Sequence, residues 1–131
     1  MTSFRRIPAV PEPGELSLDA AILGDALYTT IIPTGVDGKV VGDDIETQSR
    51  VLLDNLRDVL EAAGSGLEHV AHLTIYLTDI ARDRVGFNEV YREYFSQGRI
   101  PVRCAVGVAA LARPEMLVEV TAVAAVPAPS A

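Results

Sequence analysis

Two charged residues, Arg103 and Glu119, stand in otherwise apolar stretches near the end of the chain, within IPVRCAVGVAALARPEMLVEV (residues 100–120). A charge among apolar strand neighbours destabilises a fold unless it is paired, hydrogen-bonded or able to reach solvent. The planar guanidinium of arginine binds a carboxylate through two hydrogen bonds, which suits the anchoring of an acid. A glutamate held near an apolar wall has a raised pKa and transfers protons near neutral pH. The two residues therefore indicate either a site for a small anionic substrate or a structural ion pair, and their spacing favours neither.

Two β-strands are expected to position this pair. The apolar runs predict strands over Val102–Leu111 and Met116–Val126, joined by a tight turn at residues 112–115. On neighbouring strands, the cation and the carboxylate would be held at a fixed separation.

A long amphipathic helix is predicted over Asp44–Ala63. Asp43 is the expected N-cap, because Glu46 follows three residues later as in a capping box, and Gly64 is the expected stop. The apolar residues at helical spacing are Ile45, Leu52, Leu56, Val59, Leu60 and Ala63.

A second helix is expected to begin at Asp79 or Asp83, to run to about Gln97 and to end at Gly98. The residues that offer its packing side are Val85, Val90, Tyr91, Tyr94 and Phe95.

Between the helices, His69–Thr78 alternates in the manner of a half-buried strand. One side carries Ala71, Leu73, Ile75 and Leu77, and the other carries His72, Thr74, Tyr76 and Thr78. The polar side is rich in strand-forming residues and too polar for a core. We therefore expect a second subunit to cover it.

The rest of the chain predicts an extended arm (residues 1–14), three short strands and a frayed tail (residues 127–131) around a single domain spanning residues 1–131. The short strands are Leu16–Leu23, Ala26–Ile32 and Lys39–Val41. Two helices over one face of a mixed sheet define an α+β fold class.

Composition narrows the function. The net charge of −7 argues against a nucleic-acid partner, which requires cations to neutralise phosphates. No apolar run approaches the roughly 18 residues of a membrane span, and the polar, proline-rich start lacks the apolar region of a signal peptide, so we expect a cytoplasmic protein. The single cysteine, Cys104, excludes an internal disulfide and is expected to be a small buried side chain. His69 and His72 fall on opposite faces of a strand, so we expect no metal site.

Three segments carry a resemblance to a known family. The run PVRCAVGVAAL…LVEV resembles the signature of the RidA/YjgF family of enamine/imine deaminases. DNLRDVLEAAGSGLEHVAHLTIYLTDI (residues 54–80) and FNEVYREYF (residues 87–95) are also similar to this family. Together the likeness spans residues 20–126.

The resemblance implies a chorismate-mutase-like α+β fold and a homotrimer with three clefts between subunits. Family members hydrolyse reactive enamines and imines, such as 2-aminoacrylate, to keto acids and ammonia without a cofactor. By position, Arg103 would bind the carboxylate of a small substrate, and Glu119 would activate the attacking water and transfer the proton. Asn88 would line the cleft.

Three positions differ from the family pattern. Ser17 stands where the family has a cleft tyrosine, Thr30-Ile31-Ile32 replaces a Ser-Gly-Gln segment, and Ala105 replaces a cysteine that is common at its position. Ser17, Thr30 and Ala105 are thus the expected substrate-lining residues. The alternatives to the deaminase hypothesis are a related enzyme recruited to another reaction of a specialised pathway, and a trimer that binds a metabolite without turnover.

Overall fold

The computed structural model describes residues 2–96 and 98–128. Within these ranges it contains six strands and two α-helices, and a single turn of 3₁₀-helix, Leu67–His69, precedes the fourth strand. In chain order the elements are β1 (Phe4–Ile7), β2 (Ala20–Leu23), β3 (Ala26–Ile31), α1 (Ile45–Ala62), β4 (Val70–Leu77), α2 (Ile80–Tyr94), β5 (Val102–Gly107) and β6 (Val118–Ala125).

The strands form one mixed sheet in the order β1-β2-β3-β6-β4-β5. β4 and β5 are parallel, and α2 is the crossover that such a pair requires. The other neighbouring strands are antiparallel. Both helices pack on the same face, so the predicted α+β fold class is confirmed.

The core lies between the helices and this face of the sheet, and it is mainly aliphatic. Its buried strand residues include Leu27, Ile31, Leu73, Ile75, Leu77, Val118 and Val120, and its helix residues include Leu52, Leu53, Leu56, Leu60, Phe87 and Val90. Each such side chain stabilises the fold by about 1.5–3 kcal/mol relative to an exposed one. The strand pairing places a second set of side chains on the opposite face, called the open face below: Tyr28, Thr30, His72, Thr74, Tyr76, Cys104, Glu119 and Thr121.

Helix α1 is the predicted helix with a different first residue. Its N-cap is Asp44, whose carboxylate accepts a hydrogen bond from the Thr47 backbone N–H at 2.9 Å. The expected capping box of Asp43 with Glu46 is therefore wrong by one residue, because the cap bonds the N–H three positions beyond it. The predicted stop is confirmed, since Gly64 follows the helix with a φ of 84°.

Strand β4 shows the predicted alternation over most of its length, with Leu73, Ile75 and Leu77 fully buried. Ala71 is exposed, contrary to the prediction, because the pairing with β6 shifts register between Val70 and His72. This bulge turns the side chain of Ala71 away from the core.

Helix α2 begins after Asp79, one of the two predicted caps, and its last helical residue is Tyr94. The predicted end at Gln97 lies outside the described residues. Val85 was expected in the packing side but is 61% exposed, and Phe87 is buried in its place.

The two final strands are not neighbours, although their closeness in sequence predicted a pair. They are also shorter than predicted, at Val102–Gly107 and Val118–Ala125. Strand β4 lies between them and pairs with both. The separation follows from the parallel β4–β5 connection, which places β5 at the edge of the sheet.

The first part of the chain also departs from prediction. Phe4–Ile7 forms β1 on the sheet edge, where an extended arm was expected. The second strand is limited to Ala20–Leu23, and in place of a strand over Lys39–Val41 a single bridge joins Thr34 to Val40. At the other end, residues 127–128 have no regular structure, and the remainder of the predicted tail lies outside the described residues.

None of the helices in the described ranges is long and apolar enough to span a membrane. The single-domain boundaries and the cytoplasmic location stay predictions.

Candidate functional site

Arg103 projects from β5 toward α2. It pairs in register with Leu73 of β4, whose side chain is buried, so its own side chain is on the helix side of the sheet. Its Nη2 donates a hydrogen bond to Asn88 Oδ1 at 2.7 Å. Its Cζ lies 4.5 Å from the centre of the Tyr91 ring. Asn88 and Tyr91 reach the same guanidinium because residues three apart on a helix share one face.

A groove with a volume of about 530 Å³ opens beside this guanidinium. Tyr91, Phe95, Ile100 and Pro101 form its apolar walls, and Asn88 and Arg103 supply polar groups. Arg103 forms no ion pair with any carboxylate of residues 2–96 and 98–128. Such a groove suits a small acid that carries an apolar group.

Glu119 lies on the other side of the sheet. It pairs in register with Tyr76 of β4, while its neighbours Val118 and Val120 point into the core. Its carboxylate accepts no hydrogen bond from the part of the chain that the structure describes. Burial raises the pKa of Glu119 above its usual range, since the charged form loses hydration without gaining a partner.

The open face next to Glu119 carries a row of hydroxyl groups. Thr30, Thr121 and Thr74 occupy paired positions on three adjacent strands, and Cys104 extends the row on β5. The Cys104 sulfur lies 4.0 Å from Thr74 Oγ1. Cys104 is exposed, so its expected burial is wrong: it alternates with Arg103 and Ala105, which take the helix side.

Ser17 is exposed in the segment that precedes β2, where its hydroxyl donates to the Leu18 carbonyl at 3.2 Å. With Thr30 and His72 it lines a cavity of about 550 Å³ on the open face. Ile31 is buried in the core, so its side chain does not narrow this cavity. Asn55 holds the segment after β3, because its Nδ2 donates to the carbonyls of Ile32 at 3.2 Å and Thr34 at 2.8 Å.

The predicted site residues thus form two groups within one chain. Arg103, Asn88 and Ala105 are on the helix side at the β5 edge, and Glu119, Thr30 and Ser17 border the open face. Arg103 and Glu119 do not form the ion pair that was the structural alternative, because they point to opposite faces of the sheet.

Two residues that support the site were not recognised as such in the sequence. Tyr91 was assigned to the packing side of α2, but its ring also supports the Arg103 guanidinium. Gln48 stands among the apolar residues of α1 and is fully buried. A buried amide requires hydrogen-bond partners, and this requirement is the signal that would have identified Gln48.

Comparison with known proteins finds similarity to one family over nearly the whole chain. The sequence profile described as Endoribonuclease L-PSP matches residues 15–126. A RutC family protein of Saccharolobus solfataricus is 44% identical over 106 residues, which cover 78% of this chain and 80% of that protein.

Solved structures agree with these sequence matches. A member of the YjgF protein family from Neisseria meningitidis superposes with a TM-score of 0.83 at 25% identity, covering 97% of this chain and 98% of that one. A protein of the Rid family from Yersinia pestis superposes with a TM-score of 0.82 at 31% identity, covering 95% of this chain and 100% of that one. This chain, with its arginine and asparagine at the β5 edge and its glutamate on the open face, belongs to the RidA/YjgF family.

Proposed function

We propose that this protein is a cofactor-free hydrolase of the enamine/imine deaminase type, which converts a small carboxylate-bearing imine to a keto acid and ammonia. The observation that carries the proposal is the Arg103 guanidinium. Asn88 and Tyr91 hold it at the wall of an open groove, and no carboxylate of the described residues neutralises it. A fixed cation of this kind binds an incoming carboxylate through two charge-assisted hydrogen bonds.

Glu119 supplies the proton chemistry. Its raised pKa, caused by burial, brings it closer to the pH at which a carboxylate both accepts and returns a proton. Water adds to the carbon of the C=N bond, Glu119 takes a proton from that water, and the proton passes to the nitrogen. In the resulting amino alcohol the hydroxyl proton passes through Glu119 to the nitrogen, the C–N bond breaks to release ammonia, and the C–O bond becomes a carbonyl, so atoms and charges balance without a cofactor.

The two groups act together when two copies of the chain meet. Within one chain, Arg103 and Glu119 face opposite sides of the sheet, so a single copy does not bring both to one substrate. Exposed apolar side chains on or beside the open face, Tyr28, Val102 and Val106, favour covering by a second copy. A closed trimer of head-to-tail contacts would join the β5 edge of one copy to the open face of the next and repeat this site three times.

The test is ammonia and keto-acid release from an imine generated in the assay. Arg103→Ala should lower kcat/KM by at least about 100-fold, because each of the two charge-assisted hydrogen bonds that it removes contributes about 1.5 kcal/mol or more. Arg84→Ala, which removes an exposed arginine of α2, the helix that carries Asn88 and Tyr91, is the matched control and should match wild type. Equal activity of Arg103→Ala and wild type would contradict the proposal.

One observation favours a second candidate, an enzyme recruited to another reaction on a similar acid. Ser17 borders the open-face cavity where the family pattern has a tyrosine, so the Ser17 side of this cavity has a small hydroxyl in place of a ring, while Tyr28 and His72 line other parts of it. Under this alternative, Arg103-dependent binding of pyruvate would persist while no imine is turned over. Binding without any turnover, whatever acid is offered, would instead indicate a metabolite-binding protein.

A further inference from the structure

Tyr91 makes the closest aromatic contact with the proposed anchor. Its ring centre lies 4.5 Å from Arg103 Cζ, whereas the Phe87 ring centre lies 5.9 Å away. Phe95 stacks on Tyr91, with ring centres 4.6 Å apart and an angle of 21° between the planes. The guanidinium therefore rests against a stack of two rings, Tyr91 of α2 and Phe95, which directly follows this helix.

The Tyr91 hydroxyl is the unusual part of this stack. It is buried and has no hydrogen-bond partner among the described residues. Burial of an unpartnered hydroxyl is unfavourable. The aromatic residues four positions before and after Tyr91, Phe87 and Phe95, have no hydroxyl. The nearby Arg103 guanidinium lowers the pKa of this hydroxyl in part, but the two groups lack the geometry of a hydrogen bond, so the main contact of Tyr91 with Arg103 is the face of its ring.

We propose that Tyr91 is a positioning residue: its ring face, backed by Phe95, sets the plane of the Arg103 guanidinium and so the approach of a substrate carboxylate. The inference rests on the proposed function, because it assigns a residue to the same anchor.

The geometry explains why the ring is needed. Asn88 holds only one nitrogen of the guanidinium, Nη2, so the group remains able to turn about that hydrogen bond. A carboxylate that binds two N–H groups at once must lie in the guanidinium plane. The ring face opposes turning, since a guanidinium gains most from an aromatic ring when it lies over the face.

The Tyr91 side chain is protonated and uncharged near neutral pH. Burial raises the pKa of Tyr91, and the nearby Arg103 charge offsets only part of this effect. Phenylalanine supplies a similar ring face, whereas leucine and methionine supply none.

The experiment titrates pyruvate, a simple keto acid, into wild type and four variants, with folding checked by circular dichroism. Tyr91→Phe should bind within about twofold of wild type, and Tyr91→Leu about tenfold more weakly, as expected for loss of a partly desolvated cation–π contact. Tyr91→Met replaces Tyr91→Leu if the latter does not fold. Arg103→Ala should abolish binding.

Two further readouts separate positioning from a general packing defect. In the imine assay, Tyr91→Leu should raise KM about tenfold with kcat within about threefold of wild type. The Arg103 Nε–H resonance should broaden in Tyr91→Leu and not in Tyr91→Phe. Tyr94→Phe is the fourth variant and the control. The Tyr94 hydroxyl donates a hydrogen bond to Asp54 Oδ1 over 2.7 Å, and this pair lies outside the groove. Loss of the hydroxyl should therefore reduce stability without weakening pyruvate binding.

The outcomes distinguish this inference from the proposed function. Wild-type binding by Arg103→Ala would overturn the anchor itself. Loss of binding in Arg103→Ala together with wild-type binding in Tyr91→Leu or Tyr91→Met would overturn only the role of Tyr91. A tenfold loss in Tyr91→Phe would also overturn it, since the hydroxyl rather than the ring face would then be responsible.

Discussion

Replacement of Gln48 by methionine tests how the fold holds the start of β6. Gln48 is fully buried, and its side chain makes three hydrogen bonds to the backbone. Its Nε2 donates to the carbonyls of Gly42 at 3.0 Å and Glu115 at 2.8 Å, and its Oε1 accepts from the Leu117 N–H at 2.8 Å. Leu117 precedes Glu119 by two residues, so this amide ties the strand that carries the proposed proton-transfer group to α1.

The expected cost follows from these bonds. Methionine has a similar volume and shape, so the change leaves little cavity and mainly removes the three hydrogen bonds at about 1 kcal/mol each. Gly42 and Glu115 are exposed residues whose carbonyls regain water, whereas Leu117 is half-buried and its N–H does so less easily. We expect Gln48→Met to lower the free energy of unfolding by about 2–3 kcal/mol, or the melting temperature by about 10 °C.

Urea unfolding followed by circular dichroism, at one protein concentration for all variants, measures this change. Glu61→Met, on the exposed side of the same helix, is the matched control and should lie within about 0.5 kcal/mol of wild type. A Gln48→Met value equally close to wild type would refute the claim that this amide secures β6.

Two further predictions concern the cap of α1 and the pH dependence of stability. In thermal unfolding, Asp44→Ala should lower the free energy of unfolding by about 1 kcal/mol and Asp43→Ala by almost nothing, because only the Asp44 carboxylate accepts a hydrogen bond from the Thr47 N–H. A larger loss in Asp43→Ala than in Asp44→Ala would instead support the capping box predicted from the sequence. The folded state binds the Glu119 proton more tightly than the unfolded state, because burial raises its pKa above the ordinary 4.5. Wild type should therefore lose stability relative to Glu119→Gln as pH rises from about 4.5 through the raised pKa, and the two urea midpoints should converge below that range. A difference that is independent of pH would contradict the assigned burial.

The elements with strong periodicity could be predicted from the sequence. The α1 stripe and the alternation of β4 depend on local spacing, which burial on one face of the sheet then preserves. Gly64 marks the end of α1 because its positive φ is a local property of glycine. The predictions at Asp43 and Ala71 were wrong for local reasons. A single hydrogen bond makes Asp44 the N-cap in place of Asp43, and a bulge in β4 exposes Ala71.

The order of the strands could not be predicted in this way. Nothing local in Val102–Gly107 or Val118–Ala125 indicates that β4 pairs between them. This order determines the faces: Arg103 pairs with buried Leu73, and Glu119 pairs with Tyr76 on the open face. The residue types of the site could be identified from the sequence and the resemblance, while their separation within one chain required the sheet.

Subunit mixing tests the central claim most directly, because the claim is that Arg103 of one copy and Glu119 of another form each site. Arg103→Ala and Glu119→Gln should each retain no more than about 1% of wild-type activity in imine hydrolysis as pure proteins. After the two are unfolded together in equal amounts and refolded, random assembly of a head-to-tail ring places an intact Arg103 beside an intact Glu119 in about one site in four. The account predicts recovery of about a quarter of wild-type activity in the refolded mixture as a whole. Mixed oligomers that form and stay as inactive as their parents would contradict it.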